Sequence, residues 1–335
     1  STGIPSDYSG NTYRKQYATM IKNTEKPVVF VCDDGDDCER IIHAAAFVAG
    51  GLDKLQLNPT LLLYSEPSTP LQHSKTALEK LLIMAKNKIP VVHSPAPMMG
   101  GTAPVTLAGG LAIGTAEALS GLVIHQLKAT GAPFVFGSGL HHLDMRTSIS
   151  VYGAPEFQLA RLAVADLGRY YHLPTWGYAG HSDSCVFDGQ AASDSLFSVL
   201  TTLQSGTNLV HDVGYLEAGL SCSPEMIVYT AEMIRMQSLF QKGFVIDEES
   251  LALDVIHSVG PGGNFMIEDH TIERFKDYWD PRFFSRLRFD TWKEEGGLRL
   301  GERLRDKTIA LLDDAGGTPL NESMVQEVDY ILEVS

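Results

Sequence analysis

The chain has 335 residues, 44% hydrophobic and 20% charged, which is apolar material enough for one large α/β barrel or two mid-sized domains. Lys and Arg total 26 against 41 Asp and Glu, a net charge of −15. That balance argues against nucleic acid and anionic membrane surfaces as partners, because both require a basic face. The four cysteines (Cys32, Cys38, Cys185 and Cys222) form no C-x-x-C pair and are too few for a disulfide framework. No run of about 18 apolar residues marks a membrane span, and no basic-then-apolar leader opens the chain. A cytoplasmic protein is the expectation. The chain opens Ser1-Thr2-Gly3-Ile4-Pro5 rather than with Met, as the interior of a longer chain would.

Six short β-branched or aromatic runs follow one another: 27–32 (PVVFVC), 60–65 (TLLLYS), 90–94 (PVVHS), 133–138 (PFVFGS), 174–180 (PTWGYAG) and 208–214 (NLVHDVG). Their starts lie roughly 30 to 45 residues apart, the length of a βα unit. Several are almost wholly apolar, as strands buried on both faces are. Helical stretches separate them at 37–48, 74–86, 103–127, 155–171 and 191–204, the third carrying Pro104 near its first turn, where proline is tolerated. Six such units predict an α/β fold, a (β/α)8 TIM-type barrel short of an N-terminal part. If Ser1-Thr2-Gly3 closes a further strand, at least one more unit precedes it. After residue 222 the pattern changes to helices at 224–240 and 248–259, a turn at 260–263 (GPGG), and a charged amphipathic tail from 271. Residues 1–222 are read as barrel units and 223–335 as a helical cap on the same domain.

In a barrel of this kind the site lies at the C-terminal ends of the strands. There the sequence places Cys32-Asp33-Asp34, Tyr64-Ser65-Glu66, His93-Ser94, then His141, His142, Asp144 and Arg146, then His181-Ser182-Asp183, and finally His211-Asp212 with Glu217 beyond. Each alone is a helix cap or a satisfied backbone partner as readily as a functional group. Tyr64, Phe136, Tyr152, Trp176, Tyr178 and Phe187 form an aromatic inventory nearby, and Trp176 and Tyr178 alternate at strand spacing, so they face the same way. Such rings hold a permanent ammonium by cation–π attraction; core packing is the plainer alternative. His93, His141, His142, His181, Cys185, His211 and Cys222 show none of the H-x-x-H, H-E-x-x-H or C-x-x-C spacings of a metal site, and no metal is expected. Gly100-Gly101-Thr102 opens the long third helix, but no phosphate-binding glycine loop and no G-x-S-x-G elbow is present.

Longer motifs carry a resemblance. The stretch 99–112 (MGGTAPVTLAGGLA), Asp144-Met145-Arg146-Thr147, Gly153-Ala154-Pro155-Glu156, the run from Ala179 through Asp183 to Gln190, 214–220 (GYLEAGL) and 259–263 (VGPGG) resemble the trimethylamine methyltransferase family, in order and over nearly the whole chain. An N-terminal segment of that family has no counterpart here. The resemblance implies transfer of a methyl group from an amine to Co(I) of a corrinoid that a separate small protein carries, with no tightly bound cofactor in this chain. The founding branch uses pyrrolysine near the stretch around His181, where this chain has standard residues only. The resemblance therefore favours the pyrrolysine-free branch, which acts on quaternary amines such as glycine betaine. Such an amine leaves as a neutral group and needs no dedicated acid.

On that reading Trp176, Tyr178, Tyr152 and Phe136, with Phe187 and His211, would line the ammonium pocket. His181, Glu217 and Asp183 would be the catalytic groups, the two acids lending negative potential to the cation. Arg146 would pair with a substrate carboxylate, and Gly100, Gly101 and Thr102 would face the corrinoid partner. Three alternatives stay open: a trimethylamine:corrinoid methyltransferase, a zinc-dependent corrinoid methyltransferase, and a homologue that binds a quaternary amine without turnover. A place in one-carbon metabolism and a homo-oligomeric state are also expected.

Overall fold

The computed structural model describes residues 7–334 apart from 315 and 318; the expectation placed on Ser1-Thr2-Gly3 lies outside the described residues. Its centre is a run of parallel strands in chain order. β1 (Val28–Phe30), β2 (Leu61–Ser65), β3 (Val91–His93) and β4 (Phe134–Phe136) form one sheet. β5 (Trp176–Tyr178) and β6 (Leu209–His211) pair with each other, and a parallel bridge from Phe136 to Thr175 joins the two groups. All six expected strands are thus present, as a mixed α/β fold with consecutive parallel βα units. Among the described residues no pairing joins β6 to β1, so the closed eight-stranded barrel is not seen.

Period-two alternation sorts the side chains. Phe30, Leu61, Leu63, Val91 and Phe134 point outward into the core beneath the helices. Val92, Val135, Trp176 and Tyr178 point inward, with Val29, Leu62 and Tyr64 beside them. The outer layer consists of α1 (Thr12–Asn23), α2 (Gly35–Ala49), α3 (Lys75–Asn87), α4 (Leu107–Lys128), α5 (Pro155–Tyr170) and α6 (Gly189–Ser205). Asp34, Ser74, Thr106 and Asp188 cap α2, α3, α4 and α6 through their side chains, each satisfying amide groups that a helix start leaves free. The third helix therefore starts at Leu107, later than the sequence suggested, and Gly100-Gly101-Thr102 lies outside it.

Helices and sheet approach closely. A Cβ on Gly121 of α4 would sit 2.2 Å from the His93 ring, and one on Gly168 of α5 2.0 Å from Thr175 Cγ2. α4 is long and apolar enough to cross a membrane by length and composition, which the search for an apolar run did not anticipate. It packs between α3 and α5 and buries Glu117 and His125, as a helix of the outer layer does.

The C-terminal part divides. α7 (Pro224–Lys242) packs on α6, and α12 (Leu300–Asp313) on α7. α13 (Glu322–Leu332) buries Val328, Ile331 and Leu332 in the same core as Phe30 and Leu61. Arg14 fastens that end, bonding Asp37 at 2.5 Å, Asp36 at 2.7 Å and Glu333 at 2.9 Å. Between α7 and α12 lie α8 (Glu248–Leu251), α9 (Leu253–Val259), α10 (Asp269–Arg274) and α11 (Phe289–Glu294), and no residue from Ser238 to Arg303 is buried. The single helix expected at 248–259 is two, because Ala252 adopts a left-handed conformation at φ 48°. The helical cap is accordingly α7, α12 and α13, and the stretch between projects from it.

Three buried histidines give the fold a pH dependence. Burial lowers His93 to about 3, and His125 and His181 to about 4, so all three are neutral in the native state and take up protons more readily when unfolded. Stability is full above the ordinary histidine value of about 6.5 and is lost as pH falls toward 4. We expect the Tm to drop progressively from pH 7.5 to pH 5, with His125→Gln flattening the slope; a level profile would contradict neutral burial. Gly121→Ala should destabilise by about 1–3 kcal/mol in urea titration, as overpacking against an immobile ring does.

Candidate active site

The inward-facing side chains line a cavity of about 680 Å³ on the concave side of the sheet. Its upper wall is aromatic: Tyr64 from β2, Trp176 and Tyr178 from β5, Tyr152 from the segment before α5, and Tyr215 beyond β6. His211 stands among them, edge-on to Trp176 (4.8 Å, 82°) and Tyr178 (4.5 Å, 86°) and 5.4 Å from Tyr64. The lower wall is aliphatic, from the inward-facing Val29 and Leu62, with Val28 and Leu61, whose side chains face the other way, also bordering it. Strand alternation alone brings Tyr64, Trp176 and Tyr178 to this face.

Polar groups join the rings at the C-terminal strand ends. Tyr178 Oη lies 2.8 Å from Ser94 Oγ and 3.2 Å from Tyr64 Oη, and Tyr64 Oη donates to Glu66. Burial holds the Tyr178 and Tyr64 phenols well above their usual range, so both remain neutral donors. Asp212 is buried and carries a left-handed φ of 80°. Its Oδ1 lies 2.5 Å from His211 Nδ1 and its Oδ2 3.9 Å from His181 Nδ1, without a hydrogen-bond partner for Oδ2. The His181 ring is fully buried, edge-on to Phe157 and Tyr152 at 5.1 and 5.6 Å. Desolvation lowers its pKa and nearby Asp212 only partly offsets that.

Behind the wall sits Arg161 of α5, which is buried. Its guanidinium lies over Phe157 at 4.5 Å and Tyr178 at 4.8 Å and donates to the carbonyls of Ser138 and Leu140, both at 2.5 Å. Those bonds fix the loop after β4 against α5 and hold the Tyr178 ring from its far side.

The structure gathers Trp176, Tyr178, Tyr152 and His211 around the cavity, with His181 beside it. Asp183 is close but turned away: its carboxylate accepts from the Tyr152 and Gly153 amides at 2.7 and 2.9 Å and so positions Tyr152. Phe136 points outward, in the cluster of Ala118 and Val164, because it shares the parity of Phe134 rather than that of Val135. Phe187 packs on Tyr229, away from the cage. Glu217 is exposed at the start of a short 3-10 turn and does not line the cavity. Arg146 is on the exposed tip of a hairpin, paired with Asp144 at 3.2 Å. Gly100-Gly101-Thr102 forms a tight turn on Met98, with Gly100 at φ 88° and within reach of Met145, so this turn and the Arg146 hairpin share one rim.

Asp212, Ser94 and Glu66 were visible as polar strand ends but not as partners of the rings. Arg161 carried a fainter signal, a cation inside the buried stripe Phe157, Ala160, Val164 and Ala165 of α5. Among the described residues no three His, Cys, Asp or Glu side chains gather as metal ligands would.

Residues 9–333 match the family model described as trimethylamine methyltransferase (MTTB). The chain belongs to the trimethylamine methyltransferase family. It is 32% identical over 314 residues to trimethylamine methyltransferase MttB of Desulfitobacterium hafniense (strain DSM 10664 / DCB-2), covering 94% of this chain and 63% of that one. It is 32% identical over 279 residues to glycine betaine methyltransferase of Desulfitobacterium hafniense (strain Y51), covering 83% and 58%. With trimethylamine methyltransferase MttB of Methanosarcina barkeri (strain Fusaro / DSM 804) the identity is 30% over 316 residues, covering 94% and 64%. The chain thus spans about three fifths of the length of these family members.

The Asp183 contact can be tested directly. In Asp183→Asn one of the two amides loses its acceptor, at a cost of about 1–3 kcal/mol. Urea denaturation should show that loss, and hydrogen exchange should accelerate at Tyr152 and Gly153. Unchanged exchange there would mean that Asp183 does not position Tyr152.

Proposed function

We propose that this chain is a cytoplasmic methyltransferase that takes a methyl group from a quaternary amine of the glycine betaine type and passes it to a corrinoid carried by a partner protein. The observation that carries the reading is the wall of Tyr64, Tyr152, Trp176 and Tyr178 beside the partnerless Oδ2 of Asp212. A quaternary ammonium donates no hydrogen bond. It is held by π faces and by a nearby carboxylate, and rings and Asp212 both line this cavity. The six βα units are then an arc of a (β/α)8 barrel, with the site at the strand ends where that fold carries it.

The residues present fit a corrinoid that stays on its partner. The cavity has room for a small amine. The corrinoid supplies a Co(I) nucleophile. The protein supplies the rest: the aromatic wall strips water from the ammonium, Asp212 stabilises its charge, and the rings orient one N–CH3 bond toward the opening. When that bond breaks its electron pair stays on nitrogen, so the product is a neutral tertiary amine and no proton is required. Neutral His181 can accept a hydrogen bond at the pocket wall without adding positive charge. The rim of Gly100, Gly101, Thr102 and Arg146 is the side from which the partner would approach.

Two relatives bear the name trimethylamine methyltransferase and one glycine betaine methyltransferase. Standard residues around His181 favour the quaternary substrate. The deciding assay follows the loss of cob(I)alamin absorbance with a panel of trimethylamine, choline, carnitine, proline betaine and glycine betaine. Turnover with one quaternary amine and none with trimethylamine is the expected result; turnover with trimethylamine alone would overturn it. Trp176→Ala should raise KM at least tenfold with a smaller change in kcat, because it removes ground-state binding.

A further inference from the structure

The stretch between α7 and α12 is regular secondary structure without a core. Phe244, Met266, Ile267 and Tyr278 are 86%, 77%, 80% and 80% exposed, and Val245 and Ile246 are each 71% exposed. An isolated helix of four to seven residues does not hold its shape in water, and ordering residues with nothing buried in return is unfavourable. So many exposed apolar side chains in one stretch point to an interface.

The charges of this stretch are divided. Residues 243–281 carry nine carboxylates and two cations, whereas residues 282–299 carry five cations and three carboxylates. The basic part is where the chain returns to its own body: the Arg282 amide donates to Glu232 at 2.8 Å, and Arg303 Nε donates to the Phe283 carbonyl at 2.9 Å. The acidic, apolar arm therefore stands beside a basic anchorage on the same chain. A surface holding both halves of a complementary pair suits a two-fold arrangement, in which each copy presents each half once.

We propose that residues 243–281 form a dimerisation arm that seats on residues 282–299 of a second copy of this chain. A standard interface engages about 20–30 residues a side, and the arm's 39 residues are enough to supply that number. The seat buries Ile246, Met266 and Ile267 and sets the arm's carboxylates against Arg286, Arg288 and Lys293. This assignment stands apart from the methyl-transfer reading and does not depend on it.

Sedimentation velocity of the whole chain, across concentration and salt, tests the assignment. A dimer is expected that loosens as salt screens the charges. The pair Ile246→Asp and Ile267→Asp should weaken it at least tenfold with unchanged circular dichroism, since neither residue is buried within its own chain. Reversing the arm alone (Glu248→Lys with Asp254→Lys) or the anchorage alone (Arg286→Glu with Arg288→Glu) should weaken the dimer, and combining the reversals should restore it. A chain that is monomeric at every concentration, a dimer indifferent to the aspartate pair, or arm amides already protected from hydrogen exchange in the monomer would each overturn the proposal.

Discussion

A guanidinium held by carbonyls and rings rather than by a carboxylate organises the centre of this molecule. Arg161 bonds the carbonyls of Ser138 and Leu140 and lies against Phe157 and Tyr178. The charge is buried, where an unsatisfied cation is costly, so loop, helix and ring must keep their places for its two terminal nitrogens to keep their acceptors. Tyr178 passes that order on. With its ring fixed from behind, its hydroxyl meets Ser94 and Tyr64, and Tyr64 meets Glu66. One buried cation is thereby linked to side chains at the ends of β2, β3 and β5 and to backbone carbonyls beyond β4.

The same arrangement divides the electrostatics of the pocket. Asp212 lines the cavity next to His211, whereas Arg161 is not among the lining residues. His181, kept neutral by burial, adds no opposing charge.

Much of this was legible in the chain itself. The six strands were marked by their β-branched runs, whereas the caps Asp34, Thr106 and Asp188 were not read and their helix starts were displaced by two to four residues. The shared face of Trp176 and Tyr178 followed from spacing. Phe136 was misplaced because a run apolar on both faces carries no sign of its parity; only the Val91 to Phe134 register settles which residues face inward. Arg146 and Glu217 were drawn from motifs, and motifs do not say whether a side chain turns into a cavity or out to solvent. Asp183 looked like a catalytic acid, yet its lone pairs are spent on backbone amides. Arg161 went unnoticed because its partners are carbonyls more than twenty residues away, which leave no local trace. Helices do follow residue 222, but periodicity shows that a segment is helical, not that anything covers it.

Asp212 joins two requirements in one residue. Its backbone lies in the left-handed region at φ 80°, which Gly, Asn and Asp tolerate and most other side chains do not. Its carboxylate is the acid nearest His211 and His181. Gly and Asn are therefore the replacements that strain this backbone least. Gly would keep the turn and lose both shape and charge, and Asn would keep the turn and the shape but lose the charge. Any larger replacement would bend the chain at the pocket and confuse the loss of an anion with the loss of a loop. The contribution of negative charge to this pocket can be isolated by a single substitution, and the backbone has already selected which one.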